Sequence, residues 1–147
     1  MKTTKVLQTN VSQTSINEVS NILNKTVRNS IAICNANTLV RCARNSHIAD
    51  LVNNFTIRTP DGFPVAKALS ILTKQNFPRV DGYKVFLQTI KDGLDINRSH
   101  YFFGSDELTT ELMIKNLKKN YIEYSIQSRI KSLLNFARLE GLEPPTL

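Results

Sequence analysis

The chain contains the stretch Phe55-Thr56-Ile57-Arg58-Thr59-Pro60-Asp61-Gly62, in which an apolar-alternating run ends at a proline. Alternation of this kind predicts a β-strand over residues 55–59, and proline stops strand pairing because it has no amide hydrogen. Asp61 follows at the carboxyl end of that strand, before a helical pattern that begins at Phe63. Ligands of open α/β folds bind at this end of the strands, so Asp61 is a candidate site residue. The alternative is a turn-forming aspartate before glycine.

The rest of the chain alternates short apolar runs with longer segments of helical periodicity. The predicted strands cover residues 30–34, 55–59, 99–103 and 121–126. The predicted helices cover residues 16–25, 38–44, 46–52, 63–72, 83–91 and 105–120. Such alternation is typical of βαβ units. The sequence therefore predicts an α/β fold with a Rossmann-like, mainly parallel sheet and flanking helices.

Local signals set the expected ends and faces of these elements. Ser15-Ile16-Asn17-Glu18 forms a capping box, Ser46 is the expected cap of its helix, and Asp92-Gly93 is the expected stop of the 83–91 helix. The 99–103 strand, with three consecutive aromatic residues, is expected to be buried. The helical spacing of one apolar stripe predicts a buried face formed by Val65, Ala66, Leu69 and Leu72.

Length and charge narrow the class of protein. The 147 residues suffice for one domain with a core, and the formal net charge is +7. Much of the excess lies late in the chain, at Lys115, Lys118, Lys119, Arg129, Lys131 and Arg138. A basic protein favours anionic partners such as phosphate-bearing ligands, nucleic acid or an acidic membrane surface. A solvated basic helix face is the alternative.

The sequence lacks the signals that are typical of membrane-spanning, secreted, disulfide-rich and metal-binding proteins. No apolar run approaches the about 20 residues of a membrane span, and no apolar core follows the basic N-terminus as in a secretion signal. Cys34 and Cys42 are too few for a disulfide framework, and we expect two reduced, buried thiols. His47 and His100 have no metal-site spacing, so no metal site is predicted.

Three further residues occupy positions similar to that of Asp61. Asn35 follows the first predicted strand, Arg79 precedes a helix, and Gly104 lies between a strand and a helix N-terminus, where phosphate binds readily. A carboxylate can accept a proton from an attacking hydroxyl, and a guanidinium can neutralise a diphosphate. This combination suits group transfer from a phosphate-activated donor. Structural roles are the alternatives: Asn35 bonding to backbone and Arg79 exposed at the surface.

Four motifs follow one another along the chain. They are Ile33-Cys34-Asn35-Ala36-Asn37-Thr38-Leu39-Val40, Thr59-Pro60-Asp61-Gly62-Phe63-Pro64-Val65, Pro78-Arg79-Val80-Asp81-Gly82-Tyr83 and Tyr101-Phe102-Phe103-Gly104-Ser105. Their residues, order and intervals resemble those of the WecG/TagA/CpsF glycosyltransferase family over residues 10–126. The pairing of Pro-Asp-Gly with Arg-Val-x-Gly at this interval is the specific part of the resemblance.

The resemblance implies a bacterial enzyme of surface-polysaccharide or teichoic-acid synthesis. Such an enzyme transfers an N-acetylmannosamine-type sugar from a UDP-N-acetylhexosamine donor to a polyprenyl-diphosphate-linked sugar. The expected location is cytoplasmic, peripheral at the inner face of the cell membrane. Neither a cofactor nor a metal is implied. Family members can self-associate, but no residue pattern here specifies a homo-oligomer.

The resemblance also assigns roles to individual residues. Asp61 matches the catalytic base, which would deprotonate the acceptor hydroxyl for direct, inverting attack. Arg79 matches an arginine that would hold a donor or acceptor phosphate, and Asn35 matches a pocket asparagine. Further substrate contacts are expected at three motif glycines, Gly62, Gly82 and Gly104.

The chain departs from the family pattern in two places. Some members carry a threonine two residues before the asparagine, where this chain has Ile33, so that hydroxyl contact is lost. Members also continue after the 121–126 strand into a second half that completes the donor pocket, and residues 127–147 do not match it. We therefore expect residues 1–126 to form the N-terminal part of the glycosyltransferase-like domain, with a sheet incomplete at its C-terminal end. Residues 127–147 are expected to form a non-family tail, helical and then disordered.

Three functional hypotheses follow from the sequence. The first is the glycosyltransferase itself, and the second is a catalytically inactive, truncated fragment that lacks the donor pocket. The third, suggested by the charge of +7, is a small basic nucleic-acid-binding domain. The sequence contains no helix-turn-helix, zinc or RNP-like signature, so no specific nucleic-acid partner is expected.

Overall fold

The computed structural model describes residues 1–25, 28–96, 98–121 and 130–132. It divides the chain into two compact units, Met1–Thr89 and Ile90–Leu147. Helices and small two-stranded sheets, two of them parallel, confirm the α/β class.

The first unit alternates strands and helices. In chain order its elements are β1 (Thr3–Val6), β2 (Thr9–Ser12), α1 (Ile16–Leu23), β3 (Ile31–Cys34), α2 (Ala36–Arg44), α3 (Ser46–Asn53), β4 (Ile57–Pro60), α4 (Phe63–Thr73) and α5 (Gly82–Asp95). The last part of α5 belongs to the second unit.

Strands β3 and β4 form the parallel pair of a βαβ unit. Their register runs from Ile31 opposite Ile57 to Cys34 opposite Pro60. Helices α2 and α3 connect them, as a parallel crossover requires. This confirms the expected parallel βαβ arrangement, although the sheet is small.

The β3–β4 pair is covered by helices on both faces. One core cluster joins Cys34 of β3 to residues of α2, α4 and the β1–β2 hairpin; its buried members are Val6, Val11, Cys34, Leu39, Val65 and Leu69. The other joins Ile57 of β4 to α1 and α5; its buried members are Val19, Ile57, Val80 and Val85. Since successive strand residues point to opposite faces, two apolar layers can pack on one short strand pair.

The N-terminal hairpin β1–β2 was not predicted from the sequence. Its strands are antiparallel, and β2 lies beside β4, where the Ser12 hydroxyl accepts a 3.0 Å hydrogen bond from the Arg58 amide. The Arg58 side chain is buried, and its guanidinium donates to three backbone carbonyls, those of Asn10, Asn53 and Phe55. A buried arginine must have its donors satisfied, and here the carbonyls do so.

Among its described residues, the second unit contains the end of α5 and three further elements. These are β5 (His100–Phe102), α6 (Glu107–Tyr121) and β6 (Ile130–Ser132). β5 and β6 pair in parallel from His100 opposite Ile130 to Phe102 opposite Ser132. Asp106 precedes α6, and its carboxylate accepts 2.8 Å hydrogen bonds from the Thr109 amide and hydroxyl.

Two predictions about helix ends were wrong. Helix α3 is capped by Asn45, whose Oδ1 accepts from the Ile48 amide at 3.2 Å, and Ser46 is already its first residue. Helix α5 continues through Asp92-Gly93 to Asp95. Ile90 and Leu94 are both buried one turn apart, and their burial outweighs the cost of about 1 kcal/mol for a helical glycine.

Two predicted buried surfaces are partly exposed. Val65, Ala66 and Leu69 are buried as expected, but Leu72 is 58% exposed because the core cluster includes no residue of the last turn of α4. In the predicted aromatic strand, Tyr101 is 51% and Phe103 85% exposed, while Phe102 between them is half-buried. This alternation is that of a strand with one face in water.

The predictions for the C-terminal segment have mixed outcomes. The tail was expected to begin as a helix, but Ile130–Ser132 forms β6, whose backbone pairs with that of β5. Of the predicted 121–126 strand, Tyr121 ends α6, and residues 122–126 lie outside the described residues. Residues 133–147, in which the tail was expected to become disordered, also lie outside them.

Candidate active site

Asn35 and Asp61 lie next to each other at the carboxyl edge of the β3–β4 pair. Cys34 and Pro60 are the last registered pair of β3 and β4, so the two candidate residues are the next in line on adjacent strands. The Asp61 amide donates a 3.1 Å hydrogen bond to the Cys34 carbonyl, which continues the pairing past the strand ends. Adjacent strands lie about 4.8 Å apart, so both side chains start from one edge.

The backbone of Gly62 turns the chain from this edge into a helix. Gly62 has φ 79° and ψ 150°, a combination that only glycine adopts readily, and it is the N-cap of α4. Its carbonyl accepts the first helical bond, from the Ala66 amide at 3.2 Å. Asp61 therefore lies immediately before the N-terminus of α4, where the helix dipole favours negative charge. Within the described residues, its carboxylate has no hydrogen-bonding or ionic partner.

Asn35 has a cap role that leaves part of its side chain free. Its Oδ1 accepts from the Thr38 amide at 3.0 Å and from the Thr38 hydroxyl at 3.2 Å, capping α2. This fixes the orientation of the side-chain amide. The Nδ2 group is left without a partner in the part of the chain that the structure describes, so it is available as a hydrogen-bond donor.

The Arg79-Val80-Asp81-Gly82 segment is attached to the same edge. The Val80 amide donates a 3.1 Å hydrogen bond to the Pro60 carbonyl, and the Val80 side chain is fully buried. Arg79 and Asp81, on either side of it, form an ion pair. The structure thus brings Asn35, Asp61 and Arg79 to one edge through two backbone hydrogen bonds.

The remaining two glycines have different surroundings. A Cβ atom on Gly82 would lie 3.2 Å from Cγ2 of Ile33, so glycine allows α5 to begin close to β3. Gly104 belongs to the second unit, has φ 113°, and has open space where a Cβ would lie. Substrate binding by these glycines stays a prediction.

Two buried thiols lie near the edge. Both Cys34 and Cys42 are free and buried, as expected. Burial, reinforced by the neighbouring Cys42, raises the pKa of the Cys34 thiol to about 12. Cys34 is therefore protonated at neutral pH and unsuited to act as a nucleophile, because the thiolate is the reactive form.

A family comparison matches most of the chain. The model of the "Glycosyl transferase WecG/TagA/CpsF family" matches residues 4–138. The chain belongs to this family. No curated protein matches it.

Membership in the WecG/TagA/CpsF family confirms the resemblance that the four motifs indicated, and the match extends past residue 126 to residue 138. The family is one of glycosyltransferases, which gives the chemical class. Among the described residues, no helix is long and apolar enough to cross a membrane. The same residues contain no group of three His, Cys, Asp or Glu side chains that could hold a metal ion.

Two residues of this candidate site were not singled out from the sequence. Thr38 orients the Asn35 amide, and Asp81 pairs with Arg79 while capping α5 through the Tyr83 amide. The Asn-x-x-Thr spacing and an aspartate just before a helix are both capping signals that could have identified them.

Proposed function

We propose that this chain transfers an N-acetylmannosamine-type sugar from a UDP donor to a polyprenyl-diphosphate-linked acceptor. The observation that carries the proposal is the common edge of Asn35, Asp61 and Arg79, formed where β3 and β4 end. It joins a carboxylate, an amide donor and a guanidinium, in a member of a glycosyltransferase family.

Each residue has a defined part in the proposed reaction. The Asp61 carboxylate accepts the proton of the acceptor hydroxyl as its oxygen attacks the anomeric carbon of the donor sugar. The bond from that carbon to the UDP oxygen breaks, and UDP leaves with the electron pair. Because the hydroxyl attacks from the face opposite to UDP, the anomeric centre is inverted. Arg79 offsets charge on a diphosphate, and the Asn35 Nδ2 group donates to a substrate oxygen.

Exposed aromatic residues at this edge support a lipid-linked acceptor. Phe63, the first residue of α4, is 72% exposed, and Tyr83, in the first turn of α5, is 61% exposed. Each follows a motif glycine, Gly62 or Gly82, at the edge that carries Asp61. Tyrosine is enriched at membrane–water interfaces, and an exposed phenylalanine can bury its ring in the lipid boundary. These residues support a reaction at a membrane surface, which we propose to be the inner face of the cell membrane.

The test measures UDP release and the mass of the glycosylated product with a UDP-N-acetylhexosamine and a short-chain lipid-diphosphate acceptor. Turnover by the wild-type chain that falls by roughly 10²–10⁴-fold in Asp61→Ala supports Asp61 as the base. Asp50→Asn, on α3, is the control for a lost carboxylate and should leave the rate unchanged. Equal turnover by Asp61→Ala would contradict the proposed mechanism.

The inactive-fragment hypothesis gives a different result in the same assay. Under that hypothesis this chain alone shows little or no turnover, because the motifs expected for the donor pocket are not recognised in residues 127–147. Binding of the acceptor is therefore measured by calorimetry beside the rate. Acceptor binding that depends on Arg79 without any UDP release would favour the fragment hypothesis, and robust, Asp61-dependent release would exclude it.

A further inference from the structure

The two carboxylate oxygens of Asp81 have different partners. Oδ1 accepts hydrogen bonds from the first-turn amides of α5, at 3.0 Å from Tyr83 and 3.3 Å from Lys84. Oδ2 accepts from the guanidinium of Arg79. An N-cap aspartate is fixed by the helix that it caps. The second oxygen is therefore held in place and directed at Arg79.

The backbone that carries the ion pair of Arg79 and Asp81 is also fixed. Val80, between the two residues, is fully buried and is bonded through its amide to the Pro60 carbonyl at 3.1 Å. Pro60 directly precedes Asp61. The Arg79 side chain is 53% exposed, whereas that of Asp81 is 19% exposed. The carboxylate is thus the more fixed member of the pair, and the arginine is the member that needs orienting.

An arginine as exposed as this one loses much rotamer freedom when it binds a ligand. Asp81 engages one terminal nitrogen, Nη2, of the guanidinium. The Nε and Nη1 donors make no hydrogen bond with any residue that the structure describes. A contact at one corner reduces the number of orientations open to the guanidinium, and its remaining donors, which share its plane, suit the oxygens of a diphosphate.

We propose that Asp81 is a positioning residue that holds the Arg79 guanidinium at the edge beside Asp61, ready to bind a diphosphate. The inference rests on the proposed function, in which Arg79 binds a phosphate group. This role changes the binding of an anion in the direction opposite to that expected from charge alone. Removing the negative charge of Asp81 weakens the binding of an anion, whereas a simple electrostatic effect of that charge would strengthen it.

Asp81→Asn separates the two roles of the side chain. Asparagine caps a helix as well as aspartate does, so α5 keeps its cap while the ion pair is lost. Asp50→Asn is the matched control, since it removes one exposed carboxylate from α3 in the same unit. Thermal unfolding of both variants checks that the fold is retained. The probe is inorganic pyrophosphate, and its affinity for the full chain is measured by calorimetry.

We expect Asp81→Asn to lower the pyrophosphate affinity by roughly three- to tenfold, as for the loss of a coupled charge pair. Asp50→Asn should bind equally well or slightly more tightly. In an Arg79→Gln background, Asp81→Asn should have no further weakening effect. An affinity of Asp81→Asn equal to or higher than that of Asp50→Asn would overturn the proposal.

A second measurement needs no ligand. Nitrogen-15 relaxation of the Arg79 Nε–H group reports the order of the guanidinium, which should fall in Asp81→Asn and not in Asp50→Asn. Unchanged order in Asp81→Asn would overturn the positioning role, whatever the affinities are. Lost order together with no pyrophosphate binding by the wild-type chain would support positioning by Asp81, and would instead contradict the phosphate-binding role of Arg79 in the proposed function.

Discussion

The backbone amide of Val80 donates a 3.1 Å hydrogen bond to the carbonyl oxygen of Pro60, the last residue of β4. The bond is maintained by the Val80 side chain, which is fully buried in the cluster that includes Ile57. It joins a segment that carries Arg79 to the strand end that precedes Asp61. Core packing and the geometry of the candidate site therefore depend on the same residue.

Val80→Ala should lower both the stability of the chain and its affinity for pyrophosphate. Removing two buried methyl groups costs about 1–2.5 kcal/mol of the free energy of unfolding, and it loosens the anchor of Arg79. Urea unfolding and calorimetry measure the two effects. Val40→Ala, at a residue 39% exposed on α2, is the control and should change stability by less than about 0.5 kcal/mol. Equal effects of the two substitutions would contradict the anchoring role.

The strand, turn and helix around Asp61 could be predicted because their signals are local. Alternation, proline and glycine stand next to one another in the sequence, and the parallel pairing of β3 with β4 follows from the βαβ order. The Asp81 ion pair could not be predicted in the same way. Its role depends on where the Val80 segment attaches to β4, which is a tertiary contact between distant parts of the chain.

The N-terminal hairpin shows a second limit of local signals. Its turn contains no glycine, and Leu7 instead adopts φ 55°, which few non-glycine residues do. The strands β1 and β2 each contain a single apolar residue, Val6 and Val11, so neither shows an apolar alternation. Their stability comes from contacts with the rest of the unit, such as the bond from the Arg58 amide to Ser12.

Gly62→Ala should destabilise the chain by about 1–3 kcal/mol, because a Cβ atom is strained at φ 79° and ψ 150°. Steric crowding is not the cause. The atom nearest to the added Cβ is Cδ of Pro64, at 3.7 Å. The midpoint and slope of urea unfolding give the change. Retained stability would mean that Gly62 adopts another backbone conformation. It would remove the reason for placing Asp61 at the start of α4.

The stability of the chain should fall as the pH drops below about 6.5, and His100 should account for part of that fall. Burial, with a smaller contribution from Arg98, lowers the pKa of His100 below its ordinary value of 6.5. The unfolded chain then binds the proton more tightly, so stability is complete above pH 6.5 and declines below it. His100→Gln should flatten this part of the profile in urea unfolding. An unchanged profile would contradict the assignment.

Phe63→Ser should weaken binding to vesicles that contain a polyprenyl-diphosphate sugar, with little effect on stability. Phe63 is 72% exposed, so its loss costs the fold little, while burial of an aromatic ring in lipid is worth about 1.5–3 kcal/mol. Vesicle flotation measures the change, expected to be roughly tenfold or more. Leu51→Ser, at a residue 53% exposed on α3, is the control. Equal weakening by both variants would indicate a nonspecific apolar effect.

Asn35→Asp should keep the fold and lose substrate affinity. The aspartate still caps α2 by accepting from the Thr38 amide, so stability should change by less than about 0.5 kcal/mol, whereas Asn35→Ala should cost about 1 kcal/mol. The Nδ2 donor is absent in both variants, and the added carboxylate also repels a diphosphate. We expect acceptor affinity by calorimetry to fall roughly tenfold in Asn35→Ala and by at least as much in Asn35→Asp.

Asn45 offers a matched control for this substitution, since its Oδ1 caps α3 through the Ile48 amide in the same manner. Asn45→Asp should therefore preserve both stability and affinity. If Asn35→Asp binds the acceptor as the wild-type chain does while Asn35→Ala does not, the side chain acts through its cap alone. The edge would then bind substrate through Asp61 and Arg79, without an amide donor.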